Sequence, residues 1–544
     1  MTRRSRTTVL IVGGGPVGLA LGVALDRHGV DHVIVERQTA PTLHPKARGL
    51  TARSMENLRV WGLDGAVRAG SLQPDADEEA VALSWVQHYC ESITGRVLGV
   101  TSPEPSMHSP VAKCSVAQDV VEKVLCDAIA ENKHSDLRRG CDVTDFAEVE
   151  GGIVATLVDL EDGSCCEVLA DYLVACDGAT SFVRQQAGFA MEGPGVLENM
   201  ASYYYRADVS HLPYARRTSS FLVFPTDPAV AGGTILASDH DAVRWLYLQR
   251  LADVEQPLLE EDELVELTRK HWGIPDLEIE FVSSMRWRMR AEMPTELRRG
   301  RILLAGDAAH CIPPTGGLGL NTGLQDVQNV AWKLALVTSG ISPDTLLDTY
   351  EIERRPVALA VMNWSVENYE RLRSRLPEAL SRREEDPEGW REALLEVERH
   401  THSEALAMGY LYSGPGIVDD GLRPLAVDRR RYWPTDRAGG RFPHMWVDAH
   451  KQVSTIDWFD TEFVLVCGPR ADGWRAAGAE AAARSAVRLV VRVLPWMAAP
   501  LTMADDGAVL VRPDGHVAWH PGDVEDKATD LRRALDQVAG REPA

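Results

Sequence analysis

The sequence has few of the features that place a chain outside the cell or in a membrane. Its nine cysteines include no Cys-x-x-Cys pair, which argues against a disulfide-rich secreted scaffold and favours a reducing compartment. No apolar run approaches the ~18 residues of a membrane span. The basic N-terminal residues precede only a short apolar run that Gly13 interrupts, so a secretory signal is not expected. We expect a cytoplasmic protein without a membrane partner.

Positive charge is also scarce, because 57 Lys and Arg face 80 Asp and Glu, a formal net charge of −23. Such a surface repels phosphate-rich molecules, so nucleic acid is not an expected partner. Metal-ligand spacing is missing as well: His310 and Cys311 are adjacent and have no second pair, so no metal is predicted. The 544 residues, 45% hydrophobic and 25% charged, are typical of a multi-domain globular protein.

The first specific pattern is "TTVLIVGGGPVGLALGVALDRHGVDHVIVER". It predicts a strand at Thr8–Val12, a helix at about Val17–Arg27 and a second strand that ends at Glu36. Between the first strand and the helix stands Gly-x-Gly-x-x-Gly, formed by Gly13, Gly15 and Gly18. These glycines permit a tight turn, the approach of a pyrophosphate and close helix packing. Glu36 can accept hydrogen bonds from a ribose and repels a 2′-phosphate, so the loop predicts NAD or the ADP half of FAD.

Two distant segments also place an acid after a predicted strand. The strand Tyr172–Cys176 precedes Asp177, and the strand Arg301–Ala305 precedes Gly306-Asp307. An Asp-Gly pair after a strand is usually only a turn. Ligands of open α/β sheets nevertheless bind beyond the carboxyl ends of the strands, so both acids are candidates. A long helix, from about 321 to 337, is predicted after the second acid.

Together the segments 13–36, 177–184 and 306–333 resemble the three fingerprints of the class A flavoprotein monooxygenases, the single-component FAD-dependent aromatic hydroxylases. "HPKARGLTARSMENLRVWGL" and "LLDTYEIERRPVA" resemble the segments that follow the second strand and the third fingerprint. The C-terminal part is similar to the thioredoxin-like domain of that family, although it has only Cys467 and no Cys-x-x-Cys. Phenol and chlorophenol hydroxylases and the tailoring hydroxylases of aromatic polyketides and indolocarbazoles are the most similar groups.

The resemblance implies an α/β fold with a Rossmann-like FAD-binding domain, an inserted β-rich substrate domain and a thioredoxin-like C-terminal domain. The expected bounds are 1–75, 110–185 and 285–400 for the FAD-binding domain, 76–110 and 190–285 for the substrate-binding domain, 400–434 for a connector and 435–544 for the thioredoxin-like domain.

The resemblance also implies an activity. NAD(P)H would reduce FAD, and dioxygen would then form a flavin C4a-hydroperoxide that hydroxylates a phenolic or polycyclic aromatic substrate, as in antibiotic biosynthesis. No second Gly-x-Gly-x-x-Gly occurs between a predicted strand and helix, which agrees with a family that lacks a separate NAD(P)H domain. The choice of NADH or NADPH, the ring size of the substrate and a homo-oligomeric state stay open.

Site residues are carried over from the family by motif. The ADP half of FAD is expected at Gly13, Gly15, Pro16, Gly18, Glu36 and Arg37. The rest of the cofactor is expected at Arg48, Gln118, Asp177, Arg184, Gly306, Asp307, Pro314, Gly317, Gly319, Leu320 and Asn321. Arg48, Pro313 and Pro314 are expected nearest the reacting edge of the flavin, as catalytic residues.

The sequence departs from some relatives and leaves alternatives. Arg48 stands where some phenol hydroxylases have an Asp base, and Leu318 stands where some hydroxybenzoate enzymes have a Lys, so no substrate acid or base is assigned. The candidates for an acid or base in the middle domain are expected instead to be strand or surface residues; these are Tyr203, Tyr204, Tyr205, Arg206, His240 and Tyr247. Baeyer–Villiger insertion, oxidative decarboxylation and a non-catalytic FAD-containing binding protein remain alternatives. A halogenase lacks support, since Trp-x-Trp-x-Ile-Pro is absent.

Overall fold

The computed structural model describes residues 3–41, 44–72, 86–101, 108–212, 214–401, 403–421, 431–497, 500–522 and 524–542. Parts of the predicted segments 76–110 and 400–434 therefore lie outside the described residues. Among the helices described, none is long and apolar enough to cross a membrane.

The strands in chain order are β1 Arg3–Val12, β2 His32–Glu36, β3 Val86–Cys90, β4 Val97–Thr101, β5 Ser135–Arg139, β6 Cys141–Val149, β7 Gly152–Asp159, β8 Cys165–Ala175, β9 Met191–Arg206, β10 Thr218–Val223, β11 Gly233–Ala237, β12 Arg244–Leu251, β13 Glu280–Pro294, β14 Arg298–Arg299, β15 Ile302–Leu304, β16 Phe463–Cys467, β17 Leu489–Val493, β18 Ala508–Val511 and β19 Val517–Trp519. The helices are α1 Pro16–Arg27, α2 Ala52–Val60, α3 Asp64–Ala69, α4 Gln118–Glu131, α5 Phe182–Gln186, α6 Glu261–Trp272, α7 Gly319–Thr338, α8 Asp348–Glu370, α9 Leu376–Ser381, α10 Pro387–Thr401, α11 Glu404–Met408, α12 Asp472–Arg484 and α13 Lys527–Val538.

The first sheet is the parallel sheet of a Rossmann-like domain. Its order is β14-β15-β8-β1-β2-β5, and the neighbours from β15 to β5 run parallel, while β7 pairs with β8 and with β6. Leu10 and Ile11 are fully buried in it, as a parallel strand covered on both faces requires. β1 starts at Arg3, five residues before the predicted strand, because its polar N-terminal residues still pair with β8 from Cys166 onward.

The second sheet is antiparallel except for one pair. Its order is β13-β9-β12-β11-β10-β3-β4, and only β10 and β3 run parallel. One face packs on α6 through buried aromatic side chains. The rings of Trp245 and Trp272 lie 4.7 Å apart, and the Trp272 indole N–H donates to the Tyr205 hydroxyl at 3.0 Å. On the other face, Tyr89 and Leu98 pack on Trp390 of α10, and the rest of that face is left to form a wall.

The C-terminal unit has its own mixed sheet, in the order β17-β16-β18-β19, with α12 and α13 packed together. A buried ionic cluster joins it to the first domain. Glu353 of α8 accepts from Arg512 at 2.6 Å and from Lys333 of α7 at 2.8 Å. Burial alone would raise the pKa of Glu353, but these two cations bring it to about 2. The mixed α/β class expected from the sequence is confirmed.

Candidate active site

A cavity of about 2330 Å³ lies where the carboxyl ends of β1, β2 and β8 face the antiparallel sheet. Val12, Glu36 and Cys176 line it from the parallel sheet, and Leu246 and Met285 line it from the antiparallel sheet. A pocket for one small ligand usually has a volume of about 300–1,000 Å³. The cavity therefore has room for a dinucleotide and a second molecule.

In the loop between β1 and α1, glycine is needed at positions 13 and 15 for two different reasons. Gly13 has φ of +108°, and a Cβ there would lie 2.4 Å from the Cys176 carbonyl oxygen, so the turn itself requires glycine. Gly15 has φ of −75°, and a Cβ on it would meet no heavy atom within 4 Å beyond its chain neighbours. The protein's own packing does not require glycine at 15, but the approach of a pyrophosphate to the backbone does. Glu36 faces this loop and accepts from the Gly14 N–H at 2.7 Å.

Asp177 lines the cavity and carries one buried carboxylate oxygen that is unpaired within the described part of the chain. Its Oδ2 accepts from the Val183 N–H at 3.1 Å, whereas its buried Oδ1 has no hydrogen-bond partner among the described residues. Burial raises the pKa of Asp177, and the Ser181 hydroxyl opposes that rise. Buried polar atoms of native proteins are nearly always paired, so this oxygen fits a hydroxyl or N–H of a bound molecule.

The loop between β15 and α7 presents Asp307 to the same cavity. Although Asp307 is exposed to the cavity, the surrounding walls desolvate it and raise the pKa of its carboxyl, against the effect of His310 and Lys46. Asp326 holds the loop from behind: its Oδ2 accepts from the Gly306 N–H at 3.2 Å and lies 2.6 Å from His310 Nε2. The His310 side chain therefore supports the loop and takes no part in the wall.

The beginning of α7 faces the cavity with its unpaired backbone N–H groups. Leu318, Gly319 and Leu320 line the wall there, beside Pro314 and Gly317. The first N–H groups of a helix lack partners within the helix and carry a partial positive charge. This end of α7 suits an anionic ring edge. α7 begins two residues before the predicted start.

The loop after β2 connects the two sheets beside the cavity. Arg48 lines the cavity, and its buried guanidinium donates to the carbonyl oxygens of Ser219 and Ala237 at 2.8 and 2.5 Å. Burial lowers the pKa of Arg48 to about 10, which still leaves it charged at neutral pH. Gln118, the first residue of α4, accepts from the Ala47 N–H at 3.1 Å. Arg48 thus attaches this loop to the antiparallel sheet, and Gln118 attaches it to α4.

Most of the predicted site residues line the cavity. They are Gly13, Gly15, Pro16, Glu36, Arg37, Arg48, Gln118, Asp177, Asp307, Pro314, Gly317, Gly319 and Leu320. Five others lie outside the lining, namely Gly18, Arg184, Gly306, Pro313 and Asn321.

These five shape the wall from behind. A Cβ on Gly18 would lie 2.0 Å from the Gly13 carbonyl oxygen, so Gly18 allows α1 to pack under the loop. The buried Arg184 donates to the Ala308 carbonyl oxygen at 3.0 Å. Asn321 Oδ1 accepts from the Thr51 N–H at 2.8 Å. We propose that such residues act on a cofactor indirectly.

His44 is a cavity residue to which the sequence assigned no role. Its Nε2 lies 2.7 Å from the Ser202 hydroxyl of β9, and its Nδ1 lies 2.9 Å from the Ser283 hydroxyl of β13. All three residues line the cavity. The serines stand 158 and 239 residues away from His44 in the chain. No spacing rule could have connected them to it.

The polar residues expected to be strand or surface residues do not reach the cavity. Tyr203, Tyr205 and Tyr247 are fully buried in the antiparallel sheet. His240 lies at the surface, 3.2 Å from Asp241. The residues outside the lining are Tyr203, Tyr204, Tyr205, Arg206, His240 and Tyr247.

Comparison with known proteins assigns both ends of the chain. Residues 6–365 match the FAD binding domain family, and residues 435–542 match the C-terminal domain of the aromatic-ring hydroxylases. The chain is 32% identical to the tetracenomycin A2 monooxygenase-dioxygenase of Streptomyces glaucescens, over 98% of this chain and 97% of the relative. It is also 32% identical to the 4-methyl-5-nitrocatechol 5-monooxygenase of a Burkholderia species, over 98% and 97% of the two chains.

A solved structure agrees with this sequence similarity. The flavin-dependent monooxygenase PieE, crystallised with FAD and its substrate, superposes with a TM-score of 0.89 at 28% identity, over 99% of each chain. The open position at Gly15, the unpaired Asp177 oxygen and the start of α7 all suit FAD. The chain therefore belongs to the FAD-dependent aromatic-ring hydroxylases, a family of flavoprotein monooxygenases.

Proposed function

We propose that this monooxygenase hydroxylates a polycyclic phenolic compound, with NAD(P)H as the electron donor and dioxygen as the co-substrate. The observation that carries the proposal is the single cavity that joins the three glycine- and acid-bearing loops to the wall of the antiparallel sheet. A cofactor held by the loops and a substrate held by the sheet would share that space. Polycyclic substrates are favoured because a cavity of about 2330 Å³ leaves room for a large second ligand beside a dinucleotide.

On the cofactor side, different residues suit different parts of FAD. Gly15 leaves room for the pyrophosphate, while Glu36 and Asp177 offer carboxylate oxygens to hydroxyl groups. Asp307 offers another carboxylate, and the N–H groups near Gly319 favour negative charge on a ring system. When bound, FAD supplies the redox and oxygen-activating chemistry of the reaction.

The substrate side of the cavity contains many apolar side chains beside a few polar ones. Its apolar side chains include Leu222, Phe224, Leu236, Leu246, Leu248, Met285, Trp287 and Met289. Such a wall binds aromatic rings and excludes water, which protects a reactive oxygen donor from hydrolysis. The names of two relatives, for a tetracenomycin and a nitrocatechol, support an oxygenated aromatic substrate. A role in secondary metabolism follows from the first of these names.

We also propose a cytoplasmic location, which the free cysteines among the described residues support. The family resemblance leaves it open whether the protein forms a homo-oligomer. Light scattering of the FAD-bound protein measures the oligomeric state.

The function is tested by substrate-stimulated NAD(P)H oxidation. Purified protein is expected to carry FAD and to oxidise NAD(P)H faster with hydroxylated anthraquinones than with phenol. The Gly15→Ala variant, assayed at an FAD concentration that saturates only the native protein, is the matched control and should give weaker stimulation. A colourless native protein would contradict the proposal. So would a bound flavin that NAD(P)H does not reduce in the presence of any phenolic compound, and this result would favour a non-catalytic role.

A further inference from the structure

His44 is held on the cavity wall by two hydroxyl groups from different strands. Its ring nitrogens lie 2.7 Å from the Ser202 hydroxyl and 2.9 Å from the Ser283 hydroxyl. The His44 ring also meets the edge of Tyr204, with centroids 6.2 Å apart. Both ring nitrogens and the ring plane are therefore fixed before any ligand enters.

We assign the proton of His44 to one ring nitrogen from the second hydrogen bond of Ser202. The Ser202 hydroxyl donates to the Met285 carbonyl oxygen at 3.4 Å, so its oxygen is left to accept the Nε2–H of His44. A neutral imidazole has one N–H, so Nδ1 then carries a lone pair. With this tautomer the Ser283 hydroxyl, 2.9 Å away, donates to that lone pair. The lone pairs of the Ser283 oxygen are left for a partner in the cavity.

His44 stays neutral in this arrangement. Burial and the Lys46 ammonium lower the pKa of His44 to about 4. The order of donors and acceptors described above is therefore kept at neutral pH. Ser283 would otherwise be free to rotate its hydroxyl and to act as a donor.

We propose that His44 is a positioning residue that makes Ser283 a hydrogen-bond acceptor for a hydroxyl group of the aromatic substrate. The inference rests on the proposed function, and it narrows the substrate class to rings that carry a free, protonated hydroxyl. A methyl ether of the same ring cannot donate to Ser283, and it leaves the Ser283 oxygen without a partner. The cluster of His44, Ser202 and Ser283 is hereafter the hydroxyl subsite.

A purely structural role for His44 is the competing explanation. His44 connects the loop after β2 to β9 and β13, and such a tie could serve only to hold the loop. Arg48 already ties the same loop to the antiparallel sheet through Ser219 and Ala237. A structural tie would affect all ligands alike, whereas the hydroxyl subsite distinguishes a phenol from its ether.

The test compares the affinities of FAD-bound protein for 2-naphthol and 2-methoxynaphthalene, followed by the change in flavin absorbance. The native protein is expected to bind 2-naphthol about tenfold more tightly than the ether, the value of one hydrogen bond. Ser283→Ala and His44→Leu should lose this preference by weakening 2-naphthol binding alone. His44→Asn should retain part of it, because the Asn oxygen can replace Nδ1 as the acceptor for Ser283.

Ser284→Ala is the matched control, since Ser284 is exposed and lies outside the cavity lining. It should keep the native preference. The proposal is overturned if the native protein binds the two probes equally or binds neither. It is also overturned if His44→Leu weakens both probes to the same extent, with FAD retention and melting temperature confirming a folded variant. Failure of the proposed function would show separately, as absent substrate-stimulated NAD(P)H oxidation by the native enzyme.

Discussion

Gly15→Ala separates what the fold requires from what the cofactor requires. Gly15 has φ of −75° and ψ of −178°, which alanine adopts readily. A Cβ there meets no heavy atom within 4 Å beyond its chain neighbours. We therefore expect the variant to fold as the native protein does. Its methyl group would occupy the space through which the pyrophosphate of FAD approaches the backbone.

The two effects have different sizes. Replacing glycine at a compatible position stabilises a protein by about 0.4–1 kcal/mol, while alanine is a poorer helix N-cap than glycine by a similar amount. The free energy of unfolding of the FAD-free protein should thus change by less than about 1 kcal/mol. Crowding one methyl group into a packed contact costs about 1–3 kcal/mol, so FAD affinity should fall by about 5- to 150-fold.

The assay measures FAD binding by fluorescence titration of FAD-free protein, with thermal unfolding of the same sample. Gly13→Ala is the contrasting variant, because its Cβ would lie 2.4 Å from the Cys176 carbonyl oxygen at φ of +108°. It should lower the melting temperature even without FAD. Native FAD affinity in Gly15→Ala would refute the assignment of this loop to the pyrophosphate, and so would a loss of stability as large as that of Gly13→Ala.

Other variants probe the remaining interactions. Arg512→Met should destabilise the protein by about 3–5 kcal/mol in urea unfolding, since it leaves Glu353 without its 2.6 Å partner inside the protein, whereas the exposed Arg484→Met should cost less than about 1 kcal/mol. Because the pKa of Glu353 falls to about 2 in the folded state, the stability it contributes is present above about pH 4.5 and is lost as the pH falls toward 2. Glu353 should contribute about 3 kcal/mol to the loss of stability across that range, and Glu353→Gln should reduce the loss by about that amount. Asp307→Ala should sharply weaken FAD retention on gel filtration. Cys311→Ser should leave it nearly intact, because a hydroxyl can keep the contact that the thiol makes with the Asp307 carbonyl oxygen at 3.6 Å; equal losses would contradict the role of Asp307.

The parts of the fold with strong local signals could be predicted from the sequence. The Gly-x-Gly-x-x-Gly loop, β2 ending at Glu36 and the long helix α7 were expected close to their observed bounds. Each depends on backbone geometry that only a few residue types allow, or on apolar periodicity over many residues. The early start of β1 at Arg3 was missed because pairing with β8, and not apolar character, extends that strand.

Side-chain direction was the main limit for the site. Pro313 and Pro314 are adjacent in the sequence, yet only Pro314 lines the cavity, since neighbouring residues of a turn point in different directions. His44 was given no role because its partners come from β9 and β13, which the tertiary fold alone brings together. A family resemblance transfers motif positions, but it does not say which hydroxyl a ring nitrogen reaches.

The central claim is tested most directly by a turnover under isotopically labelled dioxygen. FAD-bound enzyme, NAD(P)H and a hydroxylated anthraquinone are incubated, and the product is analysed by mass spectrometry and NMR. We predict that the product contains one labelled oxygen atom, as a new ring hydroxyl on an unchanged carbon skeleton. NAD(P)H consumption that yields only hydrogen peroxide and unaltered anthraquinone, or a product with a cleaved or expanded ring, would contradict the account.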